Sequence, residues 1–312
     1  MKIQKSALLV HLRHLFLRHR DSGPVKVFVV FGFVAIAAFA LNARASHFYD
    51  DERHWPRSRA PLGTELPIKI YDNISSEWDG ALRNAVSQWG KSSTLSTKIY
   101  NQGGTTKIGR CLYVGSDGYI TVCSANDGDT GYLGLARTIV ETRSGHILRA
   151  SAHMNDFYFN DPDWVKARTN DWTTLYAWRK NVMCHELGHT LGLRHQDENL
   201  LNENLGSCMD YTNAPTGSDP NVPPGTVTNF GFLSNLTPDD HDYEVLGQLY
   251  RHTDITATPL PPISPTYLQS RDVRDVFGKG TPVEKDAKGR TTLYKRDLGG
   301  GFTEFTHVDY VD

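Results

Sequence analysis

The sequence predicts an α+β fold in which a twisted mixed sheet packs against a few helices. Two observations support this prediction. Residues 96 to 160 contain several short β-rich runs separated by glycine and asparagine. Three other stretches repeat apolar residues at the spacing of a helix face, and the longest of them precedes a loop of about forty residues. We therefore expect strands and helices in separate stretches around one core.

The first 45 residues have the three parts of an export signal. A basic start precedes an apolar run from Val27 to Leu41, and the small-x-small site Ala43-Arg44-Ala45 follows. The apolar run has 15 residues, fewer than the roughly 20 that a spanning helix needs. We predict a signal peptide over 1–45, cleavage after Ala45 and secretion of the protein; the alternative is a retained membrane anchor.

The charge balance of the mature chain argues against two kinds of partner. Removal of residues 1 to 45 takes away seven of the 33 Lys and Arg and one of the 35 Asp and Glu. This leaves 26 basic and 34 acidic side chains, a net charge near −8. Neither nucleic acid nor an anionic membrane surface is therefore expected to bind.

The first elements of the mature chain follow a polar leader at residues 46 to 62. The run PIKIYD, from Pro67 to Asp72, is predicted as a strand. From Ser76 the sequence SEWDGALRNAVSQWGK carries a helical apolar stripe, and Ser76 and Asp79 have the spacing of an N-terminal capping pair. The first helix is thus predicted to begin at Ser76.

Two further helices are predicted on either side of a long loop. The first begins near Asp171 or Thr173 and runs through LYAWRKNVMCHELGHTLG. Residues 194 to 235 are rich in Gly, Pro, Asn and Asp, and loops of this length are usually functional. The last helix lies in LTPDDHDYEVLGQLY, where Thr237 can cap and Pro238 fits the first helical position.

The C-terminal part is predicted as a small unit of its own. Residues 253 to 270 form a proline-rich linker. Residues 271 to 312 contain alternating runs around GKG and GGG, which predict a small β-meander appended to the main domain. Its role is not indicated by the sequence.

The stretch CHELGHTLGLRH predicts a metal centre. His185 and His189 are four residues apart and project from one helix face, where they can bind one ion together. His195 cannot reach that face on a continuing helix. Gly192 can adopt the left-handed conformation that ends a helix and turn His195 back to the metal. Solvated histidines on an ordinary helix are the alternative.

The same stretch also predicts the chemistry. Three neutral imidazoles with one open position are typical of catalytic zinc. Glu186 follows the first ligand directly and can lie beside the ion without binding it. We therefore predict Zn²⁺ held by His185, His189 and His195, with Glu186 as the general base.

The spacing HExxHxxGxxH over His185 to His195 resembles the metzincin clan of zinc endopeptidases. Across about Pro67 to Tyr250 the chain is most similar to the matrixins and their bacterial relatives. That resemblance implies a methionine-bearing turn under the metal, matched by Met209. It also places Tyr211 where some families of the clan stabilise the transition state, whereas others use a similar tyrosine only for packing.

The resemblance further implies a substrate strand and a calcium site. An extended peptide would lie antiparallel along the edge strand formed by Tyr132, Leu133, Gly134, Leu135 and Ala136; an ordinary edge strand is the alternative. Residues 126 to 130 offer oxygen ligands for Ca²⁺, although turn formation explains the same residues.

The four cysteines of the exported part favour two disulfides. Sequence alone allows three pairings, and four buried thiols are the alternative. We expect Cys111 to pair with Cys123 across a short hairpin-like segment. If the methionine turn lies under the ligand helix as in metzincins, Cys184 and Cys208 also come close.

Together these features predict a secreted zinc endopeptidase whose catalytic domain, with a zincin-like fold, spans residues 63 to 252. The expected partner is a peptide or protein substrate, and the expected state is a monomer. A catalytically silent, zinc-containing extracellular binding protein is the alternative.

Overall fold

One mixed sheet of eight strands organises the described residues. The computed structural model describes residues 53–57, 63–101, 118–168, 172–200, 202–217, 233–252, 254 and 280–311. Together with the helices below, the sheet gives the α+β fold that the sequence predicts. The strands are β1 (Leu66–Asn73), β2 (Leu95–Asn101), β3 (Tyr119–Ala125), β4 (Tyr132–Glu141), β5 (Ile147–Asn155), β6 (Thr281–Lys285), β7 (Thr291–Gly299) and β8 (Phe302–Tyr310).

The sheet has a parallel half and an antiparallel half, in the order β2-β1-β3-β5-β4-β8-β7-β6. Strands β2, β1, β3 and β5 run parallel to one another. Strand β4 is antiparallel to β5 and to β8, and β8, β7 and β6 form an antiparallel meander. Strand β4 therefore lies inside the sheet, with a hydrogen-bonded neighbour on each side.

Five α-helices accompany the sheet in the part of the chain that the structure describes. The longest, α4, packs against α1, β4 and β5, and all of its residues from 181 to 190 are buried. A helix that is buried on every side belongs to the interior of the fold. The helices are α1 (Asp79–Trp89), α2 (Asp156–Asn160), α3 (Pro162–Arg168), α4 (Trp172–Thr190) and α5 (Asp240–Leu249).

Two predicted helix starts need correction. Ser76 belongs to a single 3₁₀ turn, and α1 begins at Asp79 without a side-chain cap, because the buried Trp78 at its start is held by Asp156 through a 2.6 Å hydrogen bond. Neither Thr237 nor Pro238 begins α5. Asp239 caps that helix through a reciprocal pair of bonds with Asp242.

The C-terminal meander is not a separate appendage. Its last strand, β8, pairs with β4 from Tyr132 to Glu141, and β4 and β8 belong to one compact unit of the chain, His47–Asp312. Phe302, Phe305 and Val308 of β8 are buried. Apolar burial and the otherwise unpaired backbone groups of β4 explain why the meander joins the sheet.

The predicted signal segment, residues 1 to 45, and most of the predicted linker lie outside the described residues. Within the described part, no helix is both long and apolar enough to cross a membrane.

Candidate metal centre

The end of α4 and the turn after it bring three histidines together. His185 and His189 lie on consecutive turns of α4. Gly192 has φ +98°, and a Cβ at this position would lie 2.1 Å from the carbonyl oxygen of Arg53. Only glycine fits such a left-handed position so close to another backbone. The chain therefore leaves the helix here and returns with His195, as predicted.

The three Nε2 atoms converge on one point. Those of His185 and His189 are 3.0 Å apart, those of His189 and His195 are 3.0 Å apart, and those of His185 and His195 are 3.1 Å apart. Two nitrogens bound to one tetrahedral zinc at the usual bond length are separated by roughly 3.3 Å. The three nitrogens are thus spaced to hold one metal ion.

The other ring nitrogens fix how these imidazoles are protonated. Nδ1 of His185 donates to the carbonyl oxygen of Cys208, and Nδ1 of His189 donates to that of Leu193, each at 2.8 Å. A carbonyl oxygen can only accept, so the Nε2 atoms of both neutral rings carry lone pairs. Lone pairs that face one another at 3 Å repel unless a cation lies among them. The donor set therefore fits zinc.

His195 is held by a carboxylate that the sequence did not single out. Its Nδ1 lies 2.8 Å from Oε1 of Glu198, three residues further along the chain. Burial lowers the pKa of His195, but the charge and hydrogen bond of Glu198 outweigh this and raise it overall. A carboxylate behind a ligating imidazole orients the ring and strengthens its basicity.

Replacing His189 with alanine should remove the metal from this centre without unfolding the chain. Two imidazoles hold zinc far less tightly than three, so we expect bound zinc at this centre to fall by at least about tenfold at equal free zinc. Equilibrium dialysis followed by metal analysis measures this. His241→Ala, which removes a histidine of α5 outside the centre, serves as the control; equal zinc in both variants would refute the assignment.

Glu186 lies next to the ligands and has no hydrogen-bond partner among the described residues. Its side chain is 0% exposed, and no residue in the described part of the chain hydrogen-bonds to either carboxylate oxygen. A Cβ at Gly134 of β4 would lie 2.6 Å from its Oε1, so glycine at 134 makes room for this carboxylate. Burial, together with the nearby Asp309 carboxylate, raises the pKa of Glu186 well above its ordinary value. Burying an acid without a partner is costly, and groups of this kind cluster at functional sites.

Met209 forms a close contact below the ligand helix. A Cβ at Gly188 would lie 2.2 Å from the Met209 sulfur, so only glycine at 188 lets the methionine approach. Met209 is fully buried. Cys208, the residue before it, is joined to Cys184 by a disulfide, as predicted. The turn that carries Met209 is therefore fastened to α4 one residue before the first ligand.

Removing this disulfide should destabilise the protein. The bond closes a loop between residues 24 positions apart, for which chain entropy predicts roughly 3 kcal/mol. We expect the Cys184→Ala, Cys208→Ala double variant to lose about this much free energy of unfolding in urea titrations under oxidising conditions. A loss below about 1 kcal/mol would show that the turn is held without the bond.

Tyr211 lies beside the histidines, and its hydroxyl is hydrogen-bonded to β8. Its ring centroid is 4.2 Å from that of His195 and 5.7 Å from that of His185. The hydroxyl donates to the carbonyl oxygen of Val308 at 3.0 Å. Tyr211 can thus donate a hydrogen bond to the backbone carbonyl of an extended chain that lies along β4.

The predicted substrate strand is not open. Residues Tyr132 to Ala136 lie in β4, whose outer edge is paired antiparallel with β8. The prediction of a free edge at this strand therefore needs correction. Strand β8 of the C-terminal meander occupies this edge of β4. It runs antiparallel to β4, which is the direction predicted for an extended peptide substrate.

Strand β8 covers the histidines as well as the edge of β4. The His307 ring stacks on His189 with ring centroids 3.9 Å apart, and burial lowers the pKa of His307 to about 3. Asp309 lines a cavity together with Leu133 and His185. The three ligands are at most 8% exposed. In this conformation a peptide cannot reach the centre.

The predicted calcium ligands, residues 126 to 130, form a hydrogen-bonded turn. Asp127 accepts from the Tyr132 hydroxyl at 3.0 Å, and Asp129 accepts from the Tyr158 hydroxyl at 2.8 Å. Turn formation accounts for these residues, and calcium binding stays a prediction.

The second predicted disulfide lies partly outside the described residues. Cys123 is disulfide-bonded, but its predicted partner Cys111 is not among the residues described. The Cys123 sulfur also lies 3.7 Å from Nδ1 of His153.

Solved structures match this chain only weakly, as three of them illustrate. The GM1-bound form of the ECX AB5 holotoxin matches with 13% identity and a TM-score of 0.35, covering 66% of this chain and 92% of its own. High choriolytic enzyme 1, a hatching-enzyme zinc protease of the medaka fish Oryzias latipes, matches with 14% identity and a TM-score of 0.31, covering 65% and 96%. Myroilysin matches with 12% identity and a TM-score of 0.30, covering 63% and 97%.

Similarities of this strength do not establish a common fold or function. No protein-family model and no curated protein matches the sequence.

Proposed function

We propose that the chain is a secreted zinc endopeptidase of the metzincin type. One observation carries the proposal: three imidazole Nε2 atoms 3.0 to 3.1 Å apart lie beside a buried carboxylate to which no residue that the structure describes is hydrogen-bonded. His185, His189 and His195 would hold the ion, and Glu186 would remain free for proton transfer. An open coordination position beside a general base supports hydrolysis more than a structural role.

Zinc bound at this centre supplies positive charge that polarises a carbonyl and acidifies water. The protein's own groups transfer the proton and hold the peptide. Glu186 accepts a proton from the attacking water and delivers it to the leaving amine, so that the peptide C–N bond breaks and a carboxylate and an amine form. Tyr211 donates a hydrogen bond to the carbonyl oxygen on which negative charge develops. The backbone of Tyr132 to Ala136 holds the peptide extended.

The burial of the centre means that the described conformation is a closed one. We propose that β8 holds the protease closed by lying where a substrate lies, antiparallel to β4 and with its Val308 carbonyl on the Tyr211 hydroxyl. Cleavage of another protein then requires β8 to leave β4. The C-terminal meander acquires a role that the sequence did not indicate.

The same burial favours a second candidate, a zinc-containing binding protein without catalysis. If β8 never leaves β4, the metal would only stabilise the fold. Secretion of such a protein would follow from the same predicted signal segment.

Metal-dependent cleavage distinguishes the two candidates. We would incubate casein with the zinc-loaded mature chain and with a Val308→Asp variant, in which β8 is weakened. The protease proposal predicts cleavage by the variant that stops with a zinc chelator and returns when zinc is restored. A folded, zinc-loaded variant that leaves casein and a quenched peptide library intact would overturn it in favour of the binding protein.

A further inference from the structure

A second group of histidines lies apart from the metal centre. His54 comes from the segment before β1, His146 from the turn between β4 and β5, and His252 and Asp254 from the chain after α5. These three segments are distant in sequence, and their side chains meet at one place. No part of the proposed protease mechanism uses them.

The donor atoms of this group have the spacing of metal ligands. Nε2 of His54 lies 2.9 Å from Nε2 of His252. Oδ1 of Asp254 lies 3.6 Å from the first nitrogen and 3.3 Å from the second. These three distances, 2.9 to 3.6 Å, are close to the roughly 3.3 Å expected between two ligand atoms of one tetrahedral zinc.

Protonation explains why the group can accept a cation. Two imidazole nitrogens 2.9 Å apart share at most one proton without clashing, so at least one lone pair of His54 or His252 points into the group. Oδ1 of the Asp254 carboxylate adds negative charge on the same side. Nitrogen and carboxylate donors in this combination suit Zn²⁺ better than Ca²⁺ or Mg²⁺.

The carboxylate is oriented by its own neighbours. Oδ2 of Asp254 accepts from the backbone N–H of Arg57 at 2.5 Å, and Oδ1 lies 2.9 Å from Nε2 of His146. Such outer partners are usual behind metal-binding carboxylates. The side chains of His54 and Asp254 are almost fully buried, whereas that of His252 is 41% exposed and leaves a way in for an ion.

We propose that His54, His252 and Asp254 form a second, structural site for a divalent zinc-like ion, with His146 supporting the carboxylate. The ion joins the chain after α5 to the segment before β1. It is separate from the three-histidine centre and does not depend on the chain being a protease.

An ion at this second site would also stabilise the turn that leads to His195 of the three-histidine centre. Nε1 of Trp55, next to His54, donates to the carbonyl oxygen of Thr190 at 2.9 Å at the end of α4. The Arg53 carbonyl packs against Gly192, where the chain turns toward His195. An ion on His54 therefore fixes the segment that supports this turn.

Counting metal in four proteins tests the proposal. We would dialyse the mature full chain and three variants against buffered zinc and measure zinc per chain by mass spectrometry. We expect two ions in the native chain and in the control His241→Ala, one in His252→Ala, and one in the double variant His185→Ala, His189→Ala. One ion in the native chain and none in the double variant would overturn the site and leave a metal-free hydrogen-bonded cluster.

A thermal measurement keeps the test decisive if His252→Ala folds poorly. The double variant lacks the first centre, so zinc can stabilise it only through the second. We expect its Tm to rise with added zinc, because an ion that binds the folded state stabilises it by mass action. No zinc-dependent rise in Tm for a folded double variant would likewise overturn the proposal.

Discussion

Replacing Val308 with aspartate is expected to raise the rate of peptide hydrolysis by about tenfold or more. Val308 of β8 is 1% exposed and packs with Tyr132 and Leu135 of β4. An unpaired charge placed there costs several kcal/mol, and each 1.4 kcal/mol shifts the ratio of closed to open molecules about tenfold. Because β8 covers the histidines, opening it exposes the centre to substrate.

Val283→Asp is the matched control for this experiment. Val283 lies in β6 of the same meander and is 50% exposed, so the same substitution there should leave β8 in place. Initial rates on a quenched peptide, at equal zinc content and with unchanged circular dichroism, give the comparison. Equal rates in the two folded variants would show that β8 does not restrain the centre.

A peptide with the sequence of residues 301 to 311, added to the Val308→Asp variant, should restore inhibition. It can pair with β4 as the native strand does, whereas a scrambled peptide of the same composition cannot keep that register. The expected inhibition is competitive with substrate. A scrambled peptide that inhibits equally well would argue against an occupied substrate strand.

Replacing Glu186 with glutamine, in the Val308→Asp background, is expected to lower kcat by about 10³-fold, because a positioned general base contributes roughly 10² to 10⁴. The amide keeps the shape of the carboxylate and cannot take up the proton. Zinc content should not change, since Glu186 is not a ligand. KM should change little, because the groups that hold the peptide are untouched.

Glu203→Gln, in the same background, provides the control for Glu186→Gln. Glu203 is exposed on the loop after the third histidine, so its loss of charge should leave kcat within about twofold. Turnover by the Glu186 variant comparable with that of this control would refute the general-base role. Loss of zinc from the Glu186 variant would mean that the carboxylate acts through the metal site instead.

The parts of the site that the sequence predicts are those fixed by local geometry. His185 and His189 share a face because of helix spacing, and Gly192 turns the chain toward His195 within a few residues. The pairing of Cys184 with Cys208 was expected from the resemblance to metzincins, which implies a methionine turn under α4, and the structure contains this disulfide. The histidine spacing and the glycine turn span only a few residues, so the sequence pattern reflects them directly.

The parts that the sequence does not predict depend on distant contacts. Strand β8 meets β4 across more than 150 residues of chain, and no local pattern specifies which edge a β-rich run will join. Helices α1 and α5 begin later than the sequence predicts. Tertiary packing of Trp78 and the reciprocal bonds of Asp239 decide where these helices begin, and the spacing of capping residues alone does not show them. Gly134 and Gly188 are needed because a Cβ at either position would clash with Glu186 or Met209. Only the folded structure brings these residues into contact.

Anomalous diffraction at the zinc edge, from crystals of the zinc-loaded mature chain, tests the central assignment most directly. We expect a peak within bonding distance of Nε2 of His185, His189 and His195, with Glu186 beside it and outside bonding distance. A zinc-loaded crystal in which these three rings point apart, or in which Glu186 itself fills the coordination sphere, would contradict the assignment.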